Sequence, residues 1–165
     1  MNLEPFTMMS QYSDWADGRL LDAAASLSDD RLDESFDMGR GTLRKTLVHL
    51  WAGHDVWLAR WQGKTDTPWP DEDKPVTLAD LGERFLQTHR VRNAFIETLT
   101  PADLGRSLTY LDSLGGVFRA TLGQMMLQGA NHATHHRAQA VNMLRRVGAG
   151  LIELDYMMWV RTPMQ

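Results

Sequence analysis

The segment Asn131–Gln139, with the sequence NHATHHRAQ, carries three of the six histidines of the chain. It lies within the longest helical pattern, which we place from about Thr121 to Arg146 because apolar residues recur at helical spacing and Gly148 follows as a stop. In an α-helix, residues four apart lie almost above one another. His132 and His136 can therefore point at one position and bind a single metal ion.

The other side chains of this helix are assigned from the same geometry. A buried imidazole needs a polar partner, and one metal ion would provide it for both rings. Gln139, one turn after His136, can hydrogen-bond a ligand ring. His135 lies at the edge of the face, in a solvent-facing or supporting role, and Arg137 is assigned to the solvated side. The other residues on the helix face that holds the pair are typical of a protein core, namely Met125, Gly129, Ala140 and Met143. Histidines four apart also occur on solvated helices, so the pair alone leaves both interpretations open.

Three more helical patterns precede this one, and threonine caps start the second and third. Residues 63–76 contain three prolines and form a connecting loop. A turn at 112–116 between two short β-patterns predicts a small hairpin just before the last long helix. The predicted helices are Ser10–Leu27, Thr42–Gln62 and Thr77–Leu99, the strands are Ser107–Leu111 and Val117–Ala120, and Leu151–Arg161 forms a short final helix or extended cover.

These elements predict an all-α fold. Four long helices with short links are typical of a four-helix bundle, which builds its sites from side chains on facing helices. The length and the absence of repeats favour one bundle domain over residues 1–165. Several tryptophans on the second long helix predict apolar surface that a homodimer would cover.

A third metal ligand has to come from another helix, and the second long helix offers His49 and His54. Helical rotation separates them by roughly 140°, so only one of them can share an ion with His132 and His136. Periodicity favours His54, which lies on the apolar stripe of its helix. His49 lies beside Ala52 and Gly53, where small residues permit a close helix approach. The spacing alone does not decide between them.

Composition narrows the classes of function. The formal net charge is −4 with both signs interspersed, which argues against a nucleic-acid partner or an anionic membrane surface. Without cysteine, a metal must be bound through nitrogen or oxygen. No signal peptide pattern opens the sequence, and no segment has the roughly 18 apolar residues of a membrane span, so we expect a cytoplasmic protein.

Three segments resemble the motifs of the DinB family, also called DinB/YfiT-like proteins, over most of the chain. Residues 12–21 resemble the family's first helix, with Asp17 where an Asn is common. Residues 46–60 resemble its second helix, and 131–139 its last motif, with Ala138 in the place of a Gly. The resemblance implies a metal-binding four-helix bundle with His49, His132 and His136 as ligands. His54, where the family commonly has an acidic residue, is left as the alternative ligand or a pocket residue.

The resemblance also implies a chemistry. Three histidines on one divalent transition metal ion (zinc, nickel or iron) leave an open position, as catalytic sites do. Relatives include thiol-dependent S-transferases, so a small-molecule substrate, such as a low-molecular-weight thiol, is expected. A metal-dependent hydrolase and a non-catalytic metal-binding stress protein are the alternatives. A di-iron carboxylate bundle is set aside, because the chain lacks the Glu-x-x-His motifs that such a site requires.

Overall fold

The computed structural model of the protein describes residues 2–162. Four long helices dominate this part of the chain, with two short helices, one 3-10 turn and a two-stranded antiparallel sheet between and after them. The elements are α1 (Glu4–Ala24), α2 (Asp29–Leu32), α3 (Leu43–Trp61), α4 (Leu78–Glu97), a 3-10 turn (Asp103–Gly105), β1 (Ser107–Leu111), β2 (Val117–Thr121), α5 (Leu122–Arg146) and α6 (Tyr156–Val160). The predicted helical bundle with a hairpin before the last long helix is confirmed.

Threonine side chains start three of the long helices. Thr42 and Thr77 each accept a hydrogen bond at Oγ1 from the backbone N–H three residues later, at 3.1 Å. Thr121 and Gln124 form a reciprocal capping box at the start of α5. The predicted caps are therefore confirmed, because a local side chain supplies the acceptor that the first helical turn lacks.

The first helix differs from its prediction at both ends. It begins at Glu4, six residues before the predicted Ser10, and ends at Ala24 instead of Leu27. Pro5 is compatible with this start, because the first turn of a helix needs no intrahelical N–H donor. Phe6 buries its ring in the core and holds the added turn against the bundle. The four-residue helix α2 was missed because so short an element shows no periodicity.

The four long helices pack in an order that differs from their order along the chain. Helix α1 packs mainly against α4 and α5, and α3 packs against the same two helices. Helices α1 and α3 are therefore diagonal to each other, as are α4 and α5. The two connections that cross these diagonals are the segment with α2 and the segment with the hairpin. Long crossover connections are a known variation of the four-helix bundle.

The interior has two apolar regions. One contains Leu20, Leu47, Phe85 and Met143, and the other contains Phe6, Trp57, Trp61, Ile96 and Met125. Buried polar residues from all four long helices lie between the two regions, namely Asp17, His54, His89, Arg92 and Arg137. We refer to these five residues as the buried polar layer.

The second long helix is covered on most of its surface, as its sequence predicts. Trp57 and Trp61 are 9% and 6% exposed, and Trp51 is half-buried. The apolar surface on which the homodimer prediction depended is therefore packed inside the chain itself, and the homodimer stays a prediction. Among the helices of residues 2–162, none combines the length and the apolar composition that crossing a membrane requires.

Candidate metal centre

Three histidines meet at the contact between α3 and α5. His49 comes from the first half of α3, and His132 and His136 come from successive turns of α5. Each offers one ring nitrogen, and these nitrogens all lie within 4.8 Å of one another. The structure thus brings together the three residues that the family resemblance implies as ligands. A set of imidazole nitrogens at this spacing suits zinc, nickel, iron or copper.

Glu72, in the loop between α3 and α4, controls the orientation of His49. Its Oε1 atom accepts hydrogen bonds from Nδ1 of His49 and, at 2.7 Å, from Nε1 of Trp69, while Oε2 accepts from Nε of Arg40 at 2.7 Å. Burial would raise the pKa of Glu72, but these hydrogen bonds and the His49 charge outweigh it and lower the pKa to about 2. An ionised Glu72 must accept the proton of Nδ1, which leaves Nε2 of His49 free for a metal.

Gln139 performs the same task for the second histidine of α5. Nδ1 of His136 donates to Oε1 of Gln139 at 2.8 Å, so Nε2 of His136 keeps its lone pair. The amide nitrogen of Gln139 donates in turn to Nε2 of His135 at 3.0 Å. His135 is exposed and lies outside the group of three. It contacts the centre through its hydrogen bond with Gln139 and through its ring, whose centroid lies 4.9 Å from that of His136.

The third ring, that of His132, depends on a glycine of the opposite helix. A Cβ atom added at Gly53 would lie 2.4 Å from Cε1 of His132 and 2.5 Å from its Nδ1. No side chain fits at that distance, so the absence of one at Gly53 lets the His132 ring rest on the backbone of α3. Trp69 covers the centre from the loop side, with its ring centroid 4.9 Å from that of His49 and 5.9 Å from that of His132.

Burial and neighbouring charges keep the two α5 rings, His132 and His136, neutral near pH 7. Burial, together with the charges of the neighbouring histidines, lowers the pKa of His132 to about 3 and that of His136 to about 4. A neutral imidazole has a lone pair to donate, whereas an imidazolium has none. The chain therefore presents the rings in the protonation state that a metal needs.

His54 faces the opposite side of α3 and belongs to the buried polar layer. Its Nδ1 accepts from Nη1 of Arg92 at 3.3 Å, and its Nε2 lies 2.9 Å from Oδ2 of Asp17. Burial lowers the pKa of His54 to about 4, although the Asp17 charge acts in the opposite direction. His54 also lines an apolar cavity of about 90 Å³ between the four helices. It does not join the group formed by His49, His132 and His136.

Asp17 is the centre of this layer. Its Oδ1 accepts from Nη1 of Arg137 at 3.0 Å, and its Oδ2 accepts from Nε2 of His89 at 3.1 Å. Burial would raise the pKa of Asp17, but His54 and Arg137 outweigh this and hold it well below its usual value. Asp17, His54 and His89 also lie close enough together to suit a metal. A cation there would meet the guanidinium groups of Arg92 and Arg137, so the layer is better explained as a self-neutralised network.

The assignment of Arg137 to the solvated side of α5 is wrong. Arg137 is 2% exposed, and besides its bond to Asp17 its guanidinium carbon lies 5.2 Å from the centroid of the Tyr12 ring. The prediction failed because an arginine on a helix is normally solvated, and the buried partner, Asp17, lies 120 residues away in the sequence. Glu72 and Trp69 were missed for a related reason, since a proline-containing loop has no periodicity that could place its side chains.

An open cleft of about 400 Å³ lies beside the centre. The C-terminal half of α3, the hairpin and the first turns of α5 form its walls, and Trp69 separates it from His49 and His132. A small molecule in this cleft would therefore be separated from the metal position by the Trp69 ring.

Replacing Glu72 tests how far the loop supports the centre. We expect Glu72→Gln to weaken metal binding roughly 10- to 100-fold, the usual cost of losing a carboxylate behind a ligating histidine. A competition titration with a chromophoric chelator measures the affinity. Asp71→Asn, which changes the exposed neighbour of Glu72, is the matched control and should leave the affinity unchanged. Equal affinities of both variants would show that Glu72 has no supporting role.

Acid should destabilise the metal-free protein in a defined pH window. Burial lowers the folded-state pKa values of His54, His132 and His136 to about 4, 3 and 4, below the usual histidine value of 6.5. The unfolded chain therefore binds protons first as the pH falls from about 6.5 towards 4, and the free energy of unfolding decreases. His54 alone contributes a loss of about 2 kcal/mol at pH 5, from 1.36 kcal/mol per pKa unit. Urea unfolding in the presence of a chelator at pH 7.5 and 5.0 measures the change, and equal midpoints would contradict it.

Comparison with known proteins agrees with this fold. A sequence model of the DinB family matches residues 1–162. The fold is similar to that of YfiT from Bacillus subtilis, which is described as "a probable metal-dependent hydrolase with an unusual four-helix bundle topology"; the two chains are 20% identical over 90% of each, with a TM-score of 0.69. A DinB family member from Shewanella denitrificans is 17% identical, with 100% of this chain and 99% of that chain covered and a TM-score of 0.67.

A conserved protein from Enterococcus faecalis is also similar, at 14% identity, with 84% of this chain and 94% of that chain covered and a TM-score of 0.59. No curated protein matches the chain in sequence. The likeness to these solved structures concerns the fold, whereas the family match covers almost the whole sequence. The chain belongs to the DinB family.

Proposed function

We propose that the protein is a metal-dependent hydrolase that binds one divalent transition metal ion through His49, His132 and His136. The observation that supports this most strongly is the convergence of three imidazole nitrogens within 4.8 Å. Two of the three rings are held in the required tautomer by Glu72 and Gln139. The description of YfiT as "a probable metal-dependent hydrolase" supports the same proposal.

Three histidine ligands define the reactivity of such a site. His49, His132 and His136 would hold the ion, which when bound would supply Lewis-acid chemistry for the activation of water and of a substrate carbonyl. The protein supplies the positioning: Glu72 orients His49, Gln139 orients His136, and Trp69 shields one side of the site from solvent. Glu72 itself is a poor general base, because its pKa of about 2 makes it a weak proton acceptor at neutral pH.

The thiol-dependent transfer implied by the family resemblance would use the same open position, since a thiolate is a good ligand for these metals. One experiment separates the two reactions. The protein is loaded in turn with zinc, nickel and iron(II), and hydrolysis of 4-nitrophenyl acetate and of N-acetylated amino acids is followed without thiol. A second arm adds cysteine or glutathione with 1-chloro-2,4-dinitrobenzene as the acceptor.

A hydrolase turns over in the first arm, and His136→Ala abolishes that turnover while His135→Ala retains it. Turnover in the second arm alone would instead support an S-transferase. Metal binding without turnover in either arm would favour a non-catalytic metal-binding protein. Both of these results would overturn the hydrolase proposal.

A further inference from the structure

One arginine in the cleft beside the metal centre differs from the other buried arginines. Arg60, on the last turn of α3, is 6% exposed and lines the cleft. Its guanidinium carbon lies 4.7 Å from the centroid of the Trp57 ring and 4.9 Å from that of Tyr110. Its Nη2 atom donates to the backbone oxygen of Leu111 at 2.8 Å. The side chain is therefore held in one position by two aromatic rings and a strand of the hairpin.

The charge of Arg60 has no carboxylate partner within 4.0 Å among residues 2–162. Its Nε atom is buried without a hydrogen-bond partner in the same part of the chain, as are the Nε atoms of Arg92 and Arg137, so the missing carboxylate is what distinguishes Arg60. Arg92 and Arg137 are just as buried, yet each forms an ion pair, with Asp14 and Asp17 respectively. Burying an unpaired charge is costly, so a site of this kind favours an anion that arrives from outside.

Asp112 is the acidic residue that faces the cleft, and it forms no ion pair with Arg60 within 4.0 Å. Burial lowers the pKa of Arg60, and the charges of Tyr110 and Asp112 offset this lowering only in part. The Oδ1 atom of Asp112 accepts hydrogen bonds from the backbone N–H groups of Leu114 at 2.9 Å and Gly116 at 2.8 Å, which fixes it in the hairpin turn. Its negative charge on the rim opposes a second negative charge in the cleft. A single guanidinium beside one carboxylate therefore suits a monoanion better than a phosphate dianion.

The cleft that contains Arg60 and the metal centre share one residue, Trp69. Trp69 lines the cleft on one side and packs against His49 and His132 on the other. Trp57 and Tyr110 add aromatic surface to the same cleft. A molecule bound there would contact the guanidinium and the aromatic walls, and the Trp69 ring would lie between it and the histidines.

We propose that Arg60 binds the carboxylate of the substrate, and that the substrates are small esters or amides with a carboxylate and an apolar or aromatic body. This inference rests on the proposed function for the identity of the reacting group. The anion site itself can be measured without any turnover, so its failure is distinguishable from the failure of the hydrolase proposal.

The test compares two probes of the same shape, benzoate and its neutral analogue benzamide. Both are titrated by calorimetry into the metal-loaded full-length protein. We expect benzoate to bind at least roughly 10-fold more tightly than benzamide, because a hydrogen bond to a charged group is worth more than one to a neutral group. Arg60→Met should bring the two affinities together. Arg90→Met, at an exposed position of α4, should retain the difference.

Further arms of the experiment determine which group binds the carboxylate and whether the site prefers a monoanion to phosphate. A preference for benzoate that persists in His136→Ala but disappears in Arg60→Met places the carboxylate on Arg60. The opposite result would place it on the metal and overturn the proposal. Inorganic phosphate that binds more tightly than benzoate would contradict the assignment to a monoanion. Equal binding of benzoate and benzamide by the unmodified protein would also overturn the proposal. This comparison needs no variant, so the test stays decisive even if Arg60→Met does not fold.

Discussion

His136→Ala should reduce the metal content of the purified protein from about one ion per chain to almost none. Two histidines would remain as ligands. Losing a supporting residue lowers the metal affinity roughly 10- to 100-fold, and losing a ligand lowers it further. We therefore expect the affinity to fall by more than about 100-fold. His132→Ala and His49→Ala should have the same effect, because all three ring nitrogens lie within 4.8 Å of one another. Elemental analysis and chelator competition measure the content and the affinity.

Two other histidines provide matched controls. His135→Ala changes an exposed ring one position away from His136, and it should leave metal binding almost unchanged. His54→Ala should retain the metal as well, since His54 faces Asp17 and Arg92 on the other side of α3. Circular dichroism confirms that each variant keeps its helices. Unchanged metal content in the His49, His132 and His136 variants would remove the proposed centre, and metal loss in His54→Ala alone would transfer the ligand role to His54.

Asp17→Ala should be the most destabilising single substitution that we predict. Asp17 is 1% exposed and accepts hydrogen bonds from Arg137 and His89, with His54 at 2.9 Å from the same carboxylate. Removing it leaves the Arg137 guanidinium buried without a counter-charge, which typically costs about 3–5 kcal/mol. For a chain of this size, that loss lowers the melting temperature by roughly 10 °C or more.

Urea unfolding and thermal melts of the metal-free protein measure this effect. Asp22→Ala is the matched control, because Asp22 lies on the same helix but is exposed, and it should stay within about 0.5 kcal/mol of the unmodified protein. The stability of Asp17→Asn should lie between those of Asp17→Ala and Asp22→Ala, since an amide oxygen can still accept a hydrogen bond from Arg137 but carries no charge. Equal stability of Asp17→Ala and Asp22→Ala would show that the buried polar layer does not hold the helices together.

Much of the fold follows from local patterns. The threonine caps and apolar spacing place α3, α4 and α5 within two residues of their observed ends, because capping and periodicity involve neighbours in the sequence. The hairpin was located for the same reason, with its second strand one residue longer than predicted. The order of the helices around the bundle was beyond such patterns. The diagonal placement of α1 and α3 depends on which faces pack together, and no local spacing records that.

The choice between His49 and His54 also depended on packing and not on local patterns alone. Both lie on α3, and the periodicity of the helix favoured His54, the more buried of the two, without deciding between them. The orientation of α3 against α5, with the His132 ring resting on Gly53, turns His49 towards the other two histidines and His54 towards Asp17. The family resemblance implied the same choice, because a motif carries information about packing that the periodicity of one chain lacks.

The amino-acid sequence by itself determined where the long helices lie and that His132 and His136 share one helical face, since both depend on residues a few positions apart. Only the tertiary structure decided which residues support them. Glu72 and Trp69 reach His49 from an irregular loop, and Arg137 finds Asp17 across 120 residues of chain. Contacts of this kind arise when separate elements pack, because the partner that stabilises a buried charge is set by proximity in space and leaves no periodic mark in the sequence.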